Sequence, residues 1–166
     1  MSKMLGDSLQ VKVGKPGDER LVDLGKLFND NPNRIIAVLA TVGADGGPHT
    51  CPVSLIYAAD DKTLLLGMLK NSLTSANLAR DGRVCLQIMA ADDVVMGIKG
   101  VMRPVRDPME ASPAMALWEM QVSHVKLDTS PAQRVTQGVA ADYRNDKARA
   151  FGEACFAELR AAAGAA

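Results

Sequence analysis

Aromatic residues make up only 4% of the 166-residue sequence, with one Trp, two Tyr and three Phe, and there are just two histidines. Charge of one sign is missing as well: 19 Lys plus Arg balance 19 Asp plus Glu. A chain without net basic charge carries no overall electrostatic footprint for nucleic acid or an anionic membrane. Long hydrophobic runs are absent. The longest, Ile35 to Val42, falls far short of the roughly 20 residues that span a bilayer, and Met1 to Gln10 has no apolar segment of the secretory kind. These absences lead us to expect a soluble, cytoplasmic protein with neither nucleic acid nor membrane as partner.

Cysteine is scarce and unpatterned. Cys51, Cys85 and Cys155 are odd in number, far apart and set in apolar runs, without the C-x2-C spacing of zinc sites or disulfide frameworks. Reduced, buried thiols are the expectation. The two histidines lie far apart, with no carboxylate at helical spacing from either, so no metal site is expected. Neither a G-x-x-x-x-G-K-[ST] loop nor a G-x-G-x-x-G turn after a strand occurs, which excludes P-loop and Rossmann enzymes.

What remains is an ordinary globular composition, 48% hydrophobic and 23% charged, sufficient for one compact domain. Residues 1–17 read as an N-terminal arm ending in the breaker cluster Gly14-Lys15-Pro16-Gly17. Asp18 can cap a short helix carrying Leu21, Leu24 and Leu27/Phe28, which Asn31-Pro32 stops. The period then changes to that of strands: Arg34 to Val42, His49 to Tyr57, Thr63 to Leu69, Arg83 to Met89, Val94 to Arg106 and Leu117 to Leu127. Gly43 to Pro48 and Asp60-Asp61-Lys62 supply turn chemistry between them. A helix is expected over Ser72 to Arg80. A second, over Asp142 to Ala163, places Tyr143, Lys147, Phe151, Cys155 and Leu159 on one face. The fold class is mainly β with peripheral helices, a barrel over residues 18–130 and a helical extension over 131–166.

One segment carries possible chemistry. Lys70-Asn71-Ser72-Leu73-Thr74-Ser75-Ala76-Asn77 leaves a strand and opens a helix. Unpaired amides at the helix start, hydroxyls on Ser72, Thr74 and Ser75, the amide of Asn77 and the cation of Lys70 together could cradle an anion. Equally, the hydroxyls could do no more than cap their own helix. His49 shares a strand face with Cys51 and is either a polar residue of the barrel rim or a proton donor. Trp118 packs the core or a dimer contact, or stacks near a bound ring; His124 shares its face, as an exposed residue or a second wall.

The run Leu39-Ala40-Thr41-Val42-Gly43-Ala44-Asp45-Gly46-Gly47-Pro48-His49 resembles the opening hairpin of the FMN-binding split-barrel family, the pyridoxamine 5'-phosphate oxidase-like proteins and small FMN-binding proteins. Ser72-Leu73-Thr74-Ser75-Ala76-Asn77-Leu78-Ala79-Arg80-Asp81-Gly82-Arg83-Val84 is similar to that family's phosphate-binding turn and following helix. The resemblance implies a six-stranded antiparallel split β-barrel forming a homodimer, with FMN at the subunit interface. By the same resemblance the phosphate rests on the turn at Lys70, Ser72, Thr74 and Asn77. The isoalloxazine lies against Pro52, Val53, Ser54 and Gly67, Met68, Leu69, with Trp118 as a stacking candidate from the other subunit.

The sequence departs from the family at Leu73, where many relatives carry Lys or Arg, and so loses a charge-assisted contact of about 1.5–3 kcal/mol. No acid/base pair stands in the matched strands, and no extra Arg cluster for a substrate phosphate, so catalytic residues are unassigned. The expectation is a flavoprotein of the oxidoreductase or electron-transfer type, with an unknown redox partner or substrate. The alternatives are a barrel binding haem through His49 or His124, one binding a deazaflavin, or a cofactor-free interaction module.

Overall fold

The computed structural model describes residues 10–15, 17, 20–31 and 35–164. Nine strands and two α-helices follow in order: β1 (Gln10–Val13), β2 (Arg20–Asp23), β3 (Ala37–Val42), β4 (Pro48–Val53), β5 (Ile56–Ala58), β6 (Thr63–Leu69), α1 (Leu73–Arg80), β7 (Arg83–Ala90), β8 (Val94–Arg106), β9 (Met115–Leu127) and α2 (Asp146–Gly164), with a π-helical turn over Gly25–Asn29. β1 and β2 form a separate antiparallel ribbon. The others make one antiparallel sheet in the order β4-β3-β7-β8-β9-β6-β5.

This order bends the sheet. β4 and β5 stand at opposite edges, yet only Ser54 and Leu55 separate them in the chain. Laid flat, seven strands would hold those edges about 29 Å apart, whereas two linking residues reach only about 10 Å. The sheet must therefore curl until its edges approach, and the amide of Gly67 on β6 donates to the carbonyl of Leu55 at 3.0 Å, which carries the β5–β6 ladder up to the corner. The expected strand His49 to Tyr57 is accordingly two strands, one on each side of the seam.

Alternating residues fill the barrel. Leu39, Leu86, Ile88, Met96, Ile98, Leu64, Leu66 and Met120 are all buried in one core cluster, as period-2 patterning requires. Gly46, at φ +80°, turns the β3–β4 hairpin, and Asp45 accepts from the amide of Gly47 at 2.9 Å; both are turn chemistry, as expected. Gly100 sits where a Cβ would strike the carbonyl of Gln121 at the β8–β9 irregularity.

A second core lies outside the barrel. Leu65, Met109, Met115 and Leu117 pack against Cys155, Phe156 and Leu159 of α2, and Tyr57 meets Phe156 edge-on at 5.5 Å. The helix thus covers the outer face of β5, β6 and β9. All three cysteines are unpaired. Cys51 and Cys85 are half-buried; Cys155 is fully buried, and that burial, with Glu158 nearby, pushes its thiol up from the ordinary range.

Two further segments differ from the sequence reading. In place of the short helix expected up to Phe28, residues 20–23 pair with β1. Leu24 and Phe28, one π-helical turn on, supply the buried anchors, while Leu21 faces out. The expected cap Asp18, the stop at Pro32, the strand start at Arg34 and most of the arm (residues 1–9 and 16) lie outside the described residues, as do Ala165 and Ala166. α2 begins at Asp146, and its buried residues are Gly152, Cys155, Phe156 and Leu159. A stripe built only of i+4 steps drifts by about 40° per step around a helix, so Phe151 leaves the face that Leu159 occupies, and Tyr143 lies ahead of the helix start.

Candidate functional site

The seam opens a groove of about 250 Å3 lined by Cys51, Pro52, Val53, Ser54 and Leu55 from one edge, Gly67, Met68 and Leu69 from the other, and Ser72, Thr74 and Met115. Eight of the eleven residues expected to bind a cofactor therefore stand around one cleft. Its floor is apolar and its far end meets the start of α1.

α1 starts where it does because Ser72 caps it. The backbone of Ser72 is extended, and its hydroxyl accepts from the amide of Ser75 at 3.1 Å while donating to the carbonyl of Leu69 at 2.9 Å. The hydroxyl of Ser75 donates to the same carbonyl at 2.6 Å. These hydroxyls are thus occupied in joining β6 to α1, and the capping reading of the turn holds. The anion-binding reading survives through other atoms: the first-turn amides of Leu73 and Thr74 have no intrahelical acceptor.

The flank of α1 is tied to the first hairpin. Thr41 and His49 face each other across β3 and β4. The side-chain amide of Asn77 donates to the Thr41 hydroxyl at 3.1 Å, and His49 Nε2 lies 3.3 Å from Thr74 Oγ1. Asn77, 1% exposed, is spent on docking the helix and does not line the groove. His49 thereby positions Thr74 from the barrel rim. Arg80 donates to Asn77 and to the carbonyl of Val42.

Two further expected residues also sit outside the lining. Lys70 pairs with Asp107 at 2.5 Å. Trp118, 5% exposed, stands in the barrel core between Leu66 and Pro104 of the adjoining strands, its indole N–H buried without a partner. Conversely, Cys51, Leu55 and Met115 line the groove without having been singled out for it. Cys51 and Leu55 flank the matched strand; Met115, paired with Leu69, precedes the point where alternation in β9 becomes readable, and no sequence signal marks it. Among the described residues, no three His, Cys, Asp or Glu side chains gather as a metal site.

The sequence profile of pyridoxamine 5'-phosphate oxidase matches residues 31–152, most of the chain. The chain belongs to the pyridoxamine 5'-phosphate oxidase family. Among solved structures, a putative pyridoxamine 5'-phosphate oxidase from Lactobacillus delbrueckii superposes with a TM-score of 0.52 at 19% identity, covering 69% of this chain and 97% of that one. One from Listeria innocua gives 0.51 at 17%, covering 63% and 94%. An F420 reductase gives 0.50 at 15%, covering 59% and 94%. These similarities establish a shared split-barrel fold. No protein of curated function matches the sequence.

Proposed function

We propose that this family member is a flavoprotein that binds FMN in the seam groove, as a homodimer, and serves an oxidoreductase or electron-transfer role. One observation carries the reading: a single slot joins an apolar floor, Pro52–Leu55 and Gly67–Leu69, to the start of α1 at Ser72 and Thr74. An apolar floor suits a flat ring system, and free amides at a helix start suit a phosphate. The residues present fit the group. The amides of Leu73 and Thr74 would hold the phosphate, with Ser72 and Ser75 keeping the helix start in place. Pro52, Val53, Gly67 and Met68 would form the wall beside the ring. The flavin supplies electron or hydride transfer when bound; the chain supplies placement and exclusion of water.

The coverage of the groove supports the homodimer. At about 250 Å3 the groove falls below the roughly 300–1,000 Å3 of clefts that enclose a ligand. The apolar side chains of Leu69 and Leu73 stand exposed beside it. A second copy laid on this rim would bury both and close the slot.

A deazaflavin is the second reading, favoured by the weak charge of the phosphate end. Lys70 is held by Asp107 and Leu73 is apolar, which suits a singly charged phosphodiester better than a doubly charged monoester. Similarity in fold to an F420 reductase points the same way. Size-exclusion chromatography with full-spectrum detection tests the proposal. The expected result is a peak at twice 17.6 kDa carrying oxidised-flavin absorption, with FMN released on denaturation. Release of a deazaflavin would select the second reading, and a colourless peak that takes up neither cofactor would refute both.

A further inference from the structure

A second cavity, of about 330 Å3, adjoins the groove and shares Ser54 and Leu55 with it; its far wall comes from α2 and the segment leading into it, through Tyr143, Arg149, Phe151 and Gly152. We infer that this cavity takes a planar aromatic carboxylate, the organic compound that meets the flavin across Ser54 and Leu55. The inference rests on the flavin reading only for what lies on the other side of that shared wall.

The chemistry of the lining selects the ligand class. Its volume is that of a small-molecule cleft, and its surface is mainly apolar. Phe151 stands 43% exposed in a chain with only six aromatic residues, on a helix whose buried face it does not share. An exposed ring beside a cavity offers a stacking surface. Tyr143 adds a second ring, pressed so closely on α2 that a Cβ on Gly152 would come within 2.5 Å of its hydroxyl.

Arg149 supplies the polar recognition. Its guanidinium lies 5.2 Å from the Tyr143 ring centre and makes one weak ion pair, 3.3 Å to Asp142, whose side chain is 81% exposed. A solvated pair of this kind contributes little. The guanidinium has five N–H donors, so it can take an incoming carboxylate beside or in place of Asp142, and two parallel N–H donors favour a planar carboxylate. The position of Asp142 against Arg149 shows that a carboxylate can reach this spot.

Calorimetric titration with benzoate, and with its neutral analogue benzamide, tests the assignment on flavin-free and FMN-loaded protein in parallel. Saturable benzoate binding is expected in both forms, weakened about tenfold by Arg149→Gln and about tenfold for benzamide, with a shift of the flavin absorption band in the loaded form. Phe151→Ala should weaken benzoate and benzamide alike. Arg149 is exposed and anchors no core, so an unchanged thermal midpoint checks that the variant is folded. Absence of saturable binding to the flavin-free protein, or binding that Arg149→Gln leaves unchanged, would overturn the inference. Arg149-dependent benzoate binding in a protein that accepts no flavin would uphold the cavity and overturn the flavin reading instead.

Discussion

Leu73 is the residue on which the phosphate end of the groove turns. It occupies the first position of α1, 61% exposed, where an apolar side chain gains nothing from solvent and offers nothing to an anion. Leu73→Lys should tighten FMN binding about tenfold or more, the equivalent of one charge-assisted hydrogen bond. Leu73→Asp should weaken it by a similar factor while leaving the fold intact, because a carboxylate in the first turn stabilises the helix dipole by about 0.3–1 kcal/mol. Equilibrium titration of both variants with FMN, alongside thermal unfolding and size-exclusion chromatography, separates phosphate binding from stability and from burial of this position in the dimer. Equal affinities for wild type, Lys and Asp would remove the phosphate from this helix start. Ser72→Ala is a poorer probe, since loss of the cap costs about 1 kcal/mol of helix stability and mixes the two effects.

At the scale of elements, α2 is held on the barrel by apolar packing and by one carboxylate. Glu158 accepts from the amides of Ala111 at 2.8 Å and Glu110 at 3.0 Å and from Arg106 at 3.1 Å. Burial pushes its pKa up, but the two amides and the guanidinium outweigh that and hold it below the ordinary glutamate range. A carboxylate depressed by folding contributes stability that is present above its unfolded pKa and is lost as pH falls through the folded value. At neutral pH, Glu158→Gln should cost about 1–3 kcal/mol, because an NH2 group then faces a backbone amide. Below about pH 4 the gap between the two proteins should narrow. Hydrogen exchange of α2 amides at both pH values measures it; a gap independent of pH would show that the carboxylate's charge is not what clamps the helix.

Where an element's periodicity is set by its own side chains, the sequence disclosed it: β7 alternates, β7 and β8 begin at the expected residues, and α1 starts on its serine cap. Where tertiary partners decide, it did not. Residues 20–23 become a strand because β1 lies alongside them, and the break at Ser54-Leu55 exists because the curled sheet needs a corner there. The site was legible to the same degree. Backbone-lined positions on either side of the seam converge, whereas Asn77 and Lys70 are diverted to Thr41 and Asp107, partners that lie about thirty to forty residues away in the chain and leave no local trace.

For the whole molecule, curling the sheet brings its two edges together at one corner, and that corner is the groove. The barrel interior is filled by its own side chains, so a ring system cannot enter it, and the seam groove offers the slot that runs from apolar strands to the start of α1. In the proposed reading a flavin placed there is held at two ends, its ring by the seam and its phosphate by the helix. Parallel calorimetric titration of the flavin-free protein with FMN and with riboflavin, which has the same ring and no phosphate, tests this most directly. FMN should bind at one per subunit and riboflavin about a hundredfold more weakly, as expected for losing two charge-assisted hydrogen bonds. Equal affinity for the two, or no binding of FMN, would contradict the account.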